Sequence, residues 1–272
     1  MGSKNKEIQA KHEKSVLDAV VNEIRKRDLS NFYGFTSEEL ERFCRAFESL
    51  EQNEQTTFPD FFTEKSSVEL FNISSSRMTR HGGPEQMRQD GIIRAEIAKA
   101  KAVFEKACVP AKRSIVETHP KHSYSDLTAS LRRQCLKHLN SLKECKRNFE
   151  TNVFVIEYKE ADIQCIFTPV DNVNYDGLVI GDLNPVYQNG KQYGLYRLSR
   201  DAENLRWLKS ELSDVDYIVF VGLSHIDVIN HRRAEAITAF LPWQLVSVQA
   251  PAITHASLTY QPLDIKEQKP DE

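Results

Sequence analysis

The chain has 272 residues, enough for one large domain or two small ones. Hydrophobic residues make up 40% and charged residues 28%, which excludes a disordered chain, and no apolar run approaches the roughly 20 residues that a membrane span needs. Lys plus Arg is 36 against 39 for Asp plus Glu, a net charge of -3, so any contact with nucleic acid must use a local basic patch rather than the whole surface.

In chain order, residues 4–28 read as a charged helix with Val16, Ala19, Val20 and Ile24 at helical spacing. Asn31, Phe32, Tyr33 and Gly34 read as a break. Thr36 followed by Glu39 is a capping-box signature for a second helix to about Leu50, with Leu40, Phe43 and Phe47 on its apolar face. The polar residues 51–57 end that helix. A short aromatic strand over 58–62, a turn, and a strand over 68–74 form a hairpin, and residues 75–83 are a basic loop. Helix returns over 84–108, Pro84 suiting its first turn. Residues 110–125 read as a loop and 126–148 as a third long helix, with Leu127, Leu131, Cys135, Leu139 and Leu142 facing a core.

Strands dominate thereafter. Residues 152–158 and 163–168 read as a hairpin, 175–194 as irregular chain with short strands, and 202–212 as a helix. Residues 216–223 are the most apolar strand and the expected centre of the sheet. A helix over 232–240 and a strand over 243–248 follow. The architecture expected is α/β, a mixed central β-sheet flanked by helices, in one domain over 1–263 with an N-terminal helical arm (1–30) and a flexible tail (264–272). Cys44, Cys108, Cys135, Cys145 and Cys165 are odd in number and contain no Cys-x-x-Cys pair, which speaks against a disulfide framework or structural zinc. With a polar N-terminus that lacks an apolar core, the chain reads as a soluble cytoplasmic protein without a membrane partner.

The segment with the most chemistry is 58–76, FPDFFTEKSSVELFNISSS. Hairpin pairing brings Asp60 on its first strand close to Glu69 on its second. Two carboxylates on adjacent strands suit a hard cation such as Mg²⁺, which takes oxygen ligands and keeps several waters. The same residues also fit a surface hairpin with two solvated acids.

Pro59-Asp60-Phe61 followed by Val68-Glu69-Leu70 resembles the PD-(D/E)XK, or restriction-endonuclease-like, superfamily over about residues 36–106. That family carries an aspartate on one strand and a second acid on the next, usually followed by x-Lys. The resemblance implies a restriction-endonuclease-like fold and hydrolysis of DNA or RNA with Mg²⁺ or Mn²⁺ held by Asp60 and Glu69. It implies a further acid from the preceding helix, Glu41 or Glu48, with Glu48 nearer the strand. It also implies action as a homodimer, and a restriction, defence or mobile-element setting. The position of the family's lysine is occupied here by Phe71, for which Lys65, Arg77 or Arg80 would have to substitute. Arg77, Arg80 and His81, in a Ser- and Gly-containing loop beside a helix N-terminus, are the expected phosphate contacts.

Other motifs are weaker. Glu157-x-Lys159, with Asp162 or Asp171, is an alternative acid–lysine pair and equally an ordinary strand end; Lys159 completing the Asp60–Glu69 site is a third arrangement. His119-x-x-His122 lacks an evident third ligand, and Ser224, His225 and Asp227 follow the central strand without a G-x-S-x-G elbow. No Walker A or dinucleotide fingerprint is present. The alternative function is a catalytically inactive nuclease-like protein that binds protein or nucleic acid.

Overall fold

The computed structural model describes residues 2–26, 29–53, 58–77, 84–107, 111–118, 121–167, 178–180, 192–240, 244–248 and 255–262. In chain order the elements are α1 (Gly2–Lys26), β1 (Phe32–Phe35), α2 (Ser37–Ala46), β2 (Glu51–Gln52), β3 (Phe61–Phe62), β4 (Ser66–Asn72), α3 (Glu85–Ala107) and β5 (Ala111–Thr118). They continue with α4 (Tyr124–Glu144), β6 (Thr151–Glu157), β7 (Ile163–Phe167), β8 (Val179–Ile180), β9 (Gln192–Leu195), α5 (Ala202–Glu211), β10 (Tyr217–Val221), β11 (Ile226–Ile229), α6 (Ala234–Phe240), β12 (Gln244–Val248) and β13 (His255–Pro262). No described helix is long and apolar enough to cross a membrane.

Where one domain was expected over 1–263, the chain separates into two compact units, Met1–Ser75 with Tyr124–Gln249, and Ser76–Ser123 with Ala250–Glu272. The second unit holds α3 and the antiparallel pair β5–β13, whose eight-residue register runs from Ala111 opposite Pro262 to Thr118 opposite His255. Residues 110–125, read as loop from their Pro, His and Lys content, therefore contain a strand that needs its distant C-terminal partner to form. The tail from 264 lies outside the described residues.

The first unit is an α/β fold with a mixed eight-stranded sheet, order β2-β3-β4-β6-β10-β11-β1-β8. Its centre is the parallel run β4–β6–β10, fully in register from Val68 opposite Val153 to Phe220 opposite Ile156. Alternation divides the side chains between two helix layers. Val68, Leu70, Val153, Val155, Tyr217 and Val219 pack on Val16, Leu17, Val20 and Ile24 of α1 and on Phe43 and Phe47 of α2. Phe71, Ile73, Phe154, Ile156, Ile218 and Phe220 pack on Leu127, Leu131, Cys135 and Leu139 of α4 and on Leu205 and Leu208 of α5. The N-terminal helix, read as a helical arm, packs as a covering layer on the core through Val16, Leu17, Val20 and Ile24.

Three local expectations change. Where residues 31–34 read as a break, Phe32–Phe35 form β1, because Gly34 at φ +78° lets the backbone close on Ile237, whose Cδ1 would stand 3.0 Å from an added Cβ. Residues 51–52, read as a helix end, form β2 at the edge of the sheet. Strands β6 and β7 are not a hairpin: β7 leaves to join a separate sheet of order β12-β7-β9. The capping box stands as read, Glu39 N–H donating to Thr36 Oγ1 and Thr36 N–H to Glu39 Oε2.

One buried ion pair ties the sheet's far side together. Arg197 Nε donates to Asp227 Oδ1 at 3.0 Å, Ser199 Oγ donates to Asp227 Oδ2 at 2.7 Å, and Asp227 is wholly buried. Burial alone would raise the Asp227 carboxyl, but Arg197, His225 and Ser199 outweigh it and hold it below the usual range. Asp227→Ala leaves the Arg197 charge without its buried partner. The expected loss is about 3–5 kcal/mol in urea unfolding at neutral pH; a variant within about 0.5 kcal/mol of the parent contradicts the assignment.

Candidate functional site

The β3–β4 turn is set by Thr63, whose Oγ1 accepts from the N–H groups of Lys65 (3.1 Å) and Ser66 (2.9 Å). It fixes Phe61 opposite Val68, and the next step of that register places Asp60 opposite Glu69. The two acids then exchange anchors. Asp60 N–H donates to Glu69 Oε2 at 3.0 Å, and Leu70 N–H donates to Asp60 Oδ2 at 2.9 Å. Pro59, buried, leads into this edge. The sequence expectation that the hairpin brings Asp60 and Glu69 together is therefore met in the geometry.

Alternation along β4 puts Glu69 on the α4 side, beside Phe71 and Ile73. Glu69 is only 6% exposed, and its Oε1 lies 2.6 Å from Nδ1 of His138 on α4. The imidazole is stacked on Phe71, centroids 4.4 Å apart and rings 6° from parallel. Phe71 meets Phe154 edge-on in turn. Sequence reading missed His138, although its place three residues after Cys135 and one before Leu139 puts it on the sheet-facing side of α4. Asp60 is half-buried. Burial first, then the neighbouring Glu69 charge and, more weakly, Glu13 of α1, push its carboxyl up to about 7, against the one opposing pull of the Leu70 amide.

The other sequence candidates lie elsewhere. Glu48 is exposed in the turn after α2 and, with Glu41, lines a groove with Val21, Ile24, Phe32, Leu40 and Cys44. The helical acid whose charge reaches Asp60 is Glu13, which no sequence motif marked. Lys65 sits at the opposite end of the hairpin and pairs with Glu150 at 3.2 Å, so it does not replace the missing lysine. Arg77 belongs to the second unit, is exposed, and exchanges backbone bonds with Lys121 and Glu85. Arg80, His81, His119 and Asp171 fall outside the described residues.

The hydroxyls of Ser74 and Ser75, at the start of the basic loop, are engaged within the first unit. Ser75 N–H and Oγ both donate to Glu160 Oε2 at 2.6 Å, Ser74 Oγ bonds the same carboxylate, and Tyr158 Oη donates to Ser75 Oγ at 3.0 Å. Glu157, 3% exposed, extends the Val153 and Val155 alternation onto the α1 side, where it meets His12 Nε2 at 2.8 Å and the Lys159 ammonium. It is a second acid–cation cluster, on the opposite face of the sheet from Glu69. One turn of α1 borders both centres: His12 reaches Glu157 while Glu13 is felt by Asp60.

The Asp60–Glu69 donor set is chemically that of a hard divalent cation. Two carboxylates whose charges oppose each other in a partly dry site are relieved by Mg²⁺ or Mn²⁺, and Mg²⁺ commonly takes only one or two carboxylates beside its waters. Among the described residues no group of three His, Cys, Asp or Glu side chains is arranged to hold a metal, so a cation here would have only the two acids as protein ligands and would need other oxygens to complete its shell. Comparison with models of protein families, with curated proteins and with solved structures gave no match.

Asp60 has a pH consequence with a definite sign. Its folded value, about 7, lies above the ordinary carboxylate value near 4, so its contribution to stability is complete below about pH 4 and is lost as pH rises through 7. Thermal midpoints of the metal-free protein across this range should fall toward neutrality, and Asp60→Asn should flatten that fall. An identical slope in the variant contradicts the assignment.

Proposed function

We propose that the protein is a metal-dependent nuclease of the PD-(D/E)XK type, hydrolysing phosphodiester bonds of DNA or RNA in the cytoplasm. The observation that carries this reading is the pairing of Asp60, immediately before β3, with Glu69 on β4, each carboxylate accepting from a backbone amide on the other's side of the hairpin. Asp60 and Glu69 would hold Mg²⁺ or Mn²⁺. Such a cation, when bound, activates water and offsets charge on a phosphoryl group.

The chain's own groups prepare that site. The Leu70 and Asp60 amides and His138 fix the directions of the carboxylate oxygens. Glu13 adds negative potential beside Asp60, which favours a cation. By the resemblance alone, Arg77, Arg80 and His81 of the basic loop would be contacts to substrate phosphates, by charge rather than by base identity. By analogy with the resemblance, a homodimer in a restriction, defence or mobile-element setting is the expected context.

A second reading rests on Phe71. Where the superfamily has its lysine, this chain places a core aromatic that is 5% exposed. A phenylalanine neither orients a water nor offsets charge, which favours a nuclease-like scaffold that binds without cutting.

The deciding test is cleavage of labelled single- and double-stranded DNA and RNA with Mg²⁺ or Mn²⁺, comparing the parent with Glu69→Gln. Metal-dependent cutting that disappears in the variant is the expected result. Equal cutting by both proteins overturns the site, and no cutting of any substrate leaves the second reading.

A further inference from the structure

We infer that His138 is the positioning residue of the Asp60–Glu69 centre: α4 supplies, across the sheet layer, the polar group that β4 replaces with Phe71. The inference rests on the nuclease reading above and deepens it.

Three features of the geometry lead there. First, both partners are enclosed, with 15% of the His138 and 8% of the Glu69 side chain exposed, and their contact is 2.6 Å. Second, the imidazole is held against rotation. Phe71 lies parallel beneath it at 4.4 Å, Phe154 braces Phe71, and Cys135 and Leu139 are buried on either side of it along α4. Third, the Glu69 carboxylate is gripped at both oxygens, Oε1 by His138 and Oε2 by the Asp60 amide, so its plane is fixed before any ligand arrives.

The surroundings make a packing role insufficient. Thr128 and Ser130 are the buried polar residues at the start of α4, but the part around His138 is Leu131, Cys135 and Leu139, and the facing strands offer Phe71, Ile73, Phe154 and Ile156. Apolar residues of similar volume would fill the place of the His138–Glu69 pair at no cost, or with a gain, in stability. What they would lose is a carboxylate of fixed direction next to Asp60. Groups that bond a ligating side chain in this way typically govern metal affinity by about 10–100-fold.

The test uses His138→Asn, His138→Gln and His138→Ala in the full chain, with Mn²⁺ as the probe. An asparagine amide nitrogen sits two bonds from Cβ, as Nδ1 does, and keeps a donor near Glu69 Oε1. A glutamine amide lies one bond further out and does not. Mn²⁺ affinity is read by paramagnetic resonance of the free ion, with kcat and KM for cleavage and the metal-free thermal midpoint measured alongside. The expected result is a loss of Mn²⁺ affinity of about 10–100-fold for Gln and Ala, with Asn close to the parent, at similar metal-free midpoints for Asn and Gln. Parent-like binding by Gln and Ala while the parent binds and cuts overturns the role of His138 alone. Equal losses in Asn and Gln overturn it too, since a packing role would not tell them apart. A parent that neither binds Mn²⁺ nor cuts overturns the nuclease reading and this inference together.

Discussion

Strands β4, β6 and β10 are covered on both faces, and the strict alternation this enforces governs everything else in the first unit. Val68 and Leu70 must serve the α1–α2 layer, so Glu69 and Phe71 between and beyond them must serve the α4 layer. A shift of one residue in the register would exchange the two sets and bury Glu69 against α1 and α2 instead. The same rule carries Glu157 to the α1 layer after Val153 and Val155. Two buried acids on neighbouring parallel strands thereby face opposite ways, each answered by a histidine from the helix on its own side: His138 for Glu69, His12 for Glu157.

Charge distinguishes the two centres. Glu157 has two cationic or proton-carrying neighbours, His12 and Lys159, and forms a locally compensated cluster. Among the described residues, the Asp60–Glu69 centre has two acids, a third whose charge reaches it in Glu13, and His138. Burial first, and then the neighbouring Glu69 charge, raise Asp60. On the proposed reading, a divalent ion held by both acids would offset their mutual repulsion, which favours this pair over the Glu157-x-Lys159 alternative.

Much of this was legible in the residues. The capping box at Thr36, the helices α1, α3, α4 and α5, the central strand β10 and the Asp60–Glu69 hairpin follow from periodicity and turn chemistry acting over a few residues. What was illegible depends on distant partners. Strand β5 forms only against β13, more than a hundred residues later in the chain, and β7 abandons β6 for β12. Gly34 looked like punctuation and is instead the residue that lets β1 approach Ile237. The site was half legible for the same reason. Asp60 and Glu69 are nine residues apart, whereas His138 reaches Glu69 from sixty-nine residues away. Glu48 looked apt because it is near in sequence, but the helical acid whose charge reaches Asp60 is Glu13, from a helix that packs on the sheet.

The claim that the paired acids form a cation site is tested most directly by diffraction from crystals soaked in Mn²⁺, with data collected for anomalous scattering. The account predicts an anomalous peak within bonding distance of carboxylate oxygens of both Asp60 and Glu69, absent in Asp60→Asn crystals. A peak on Glu157 and His12 with none at Asp60, or no ordered Mn²⁺ on either acid at saturating concentration, would contradict it.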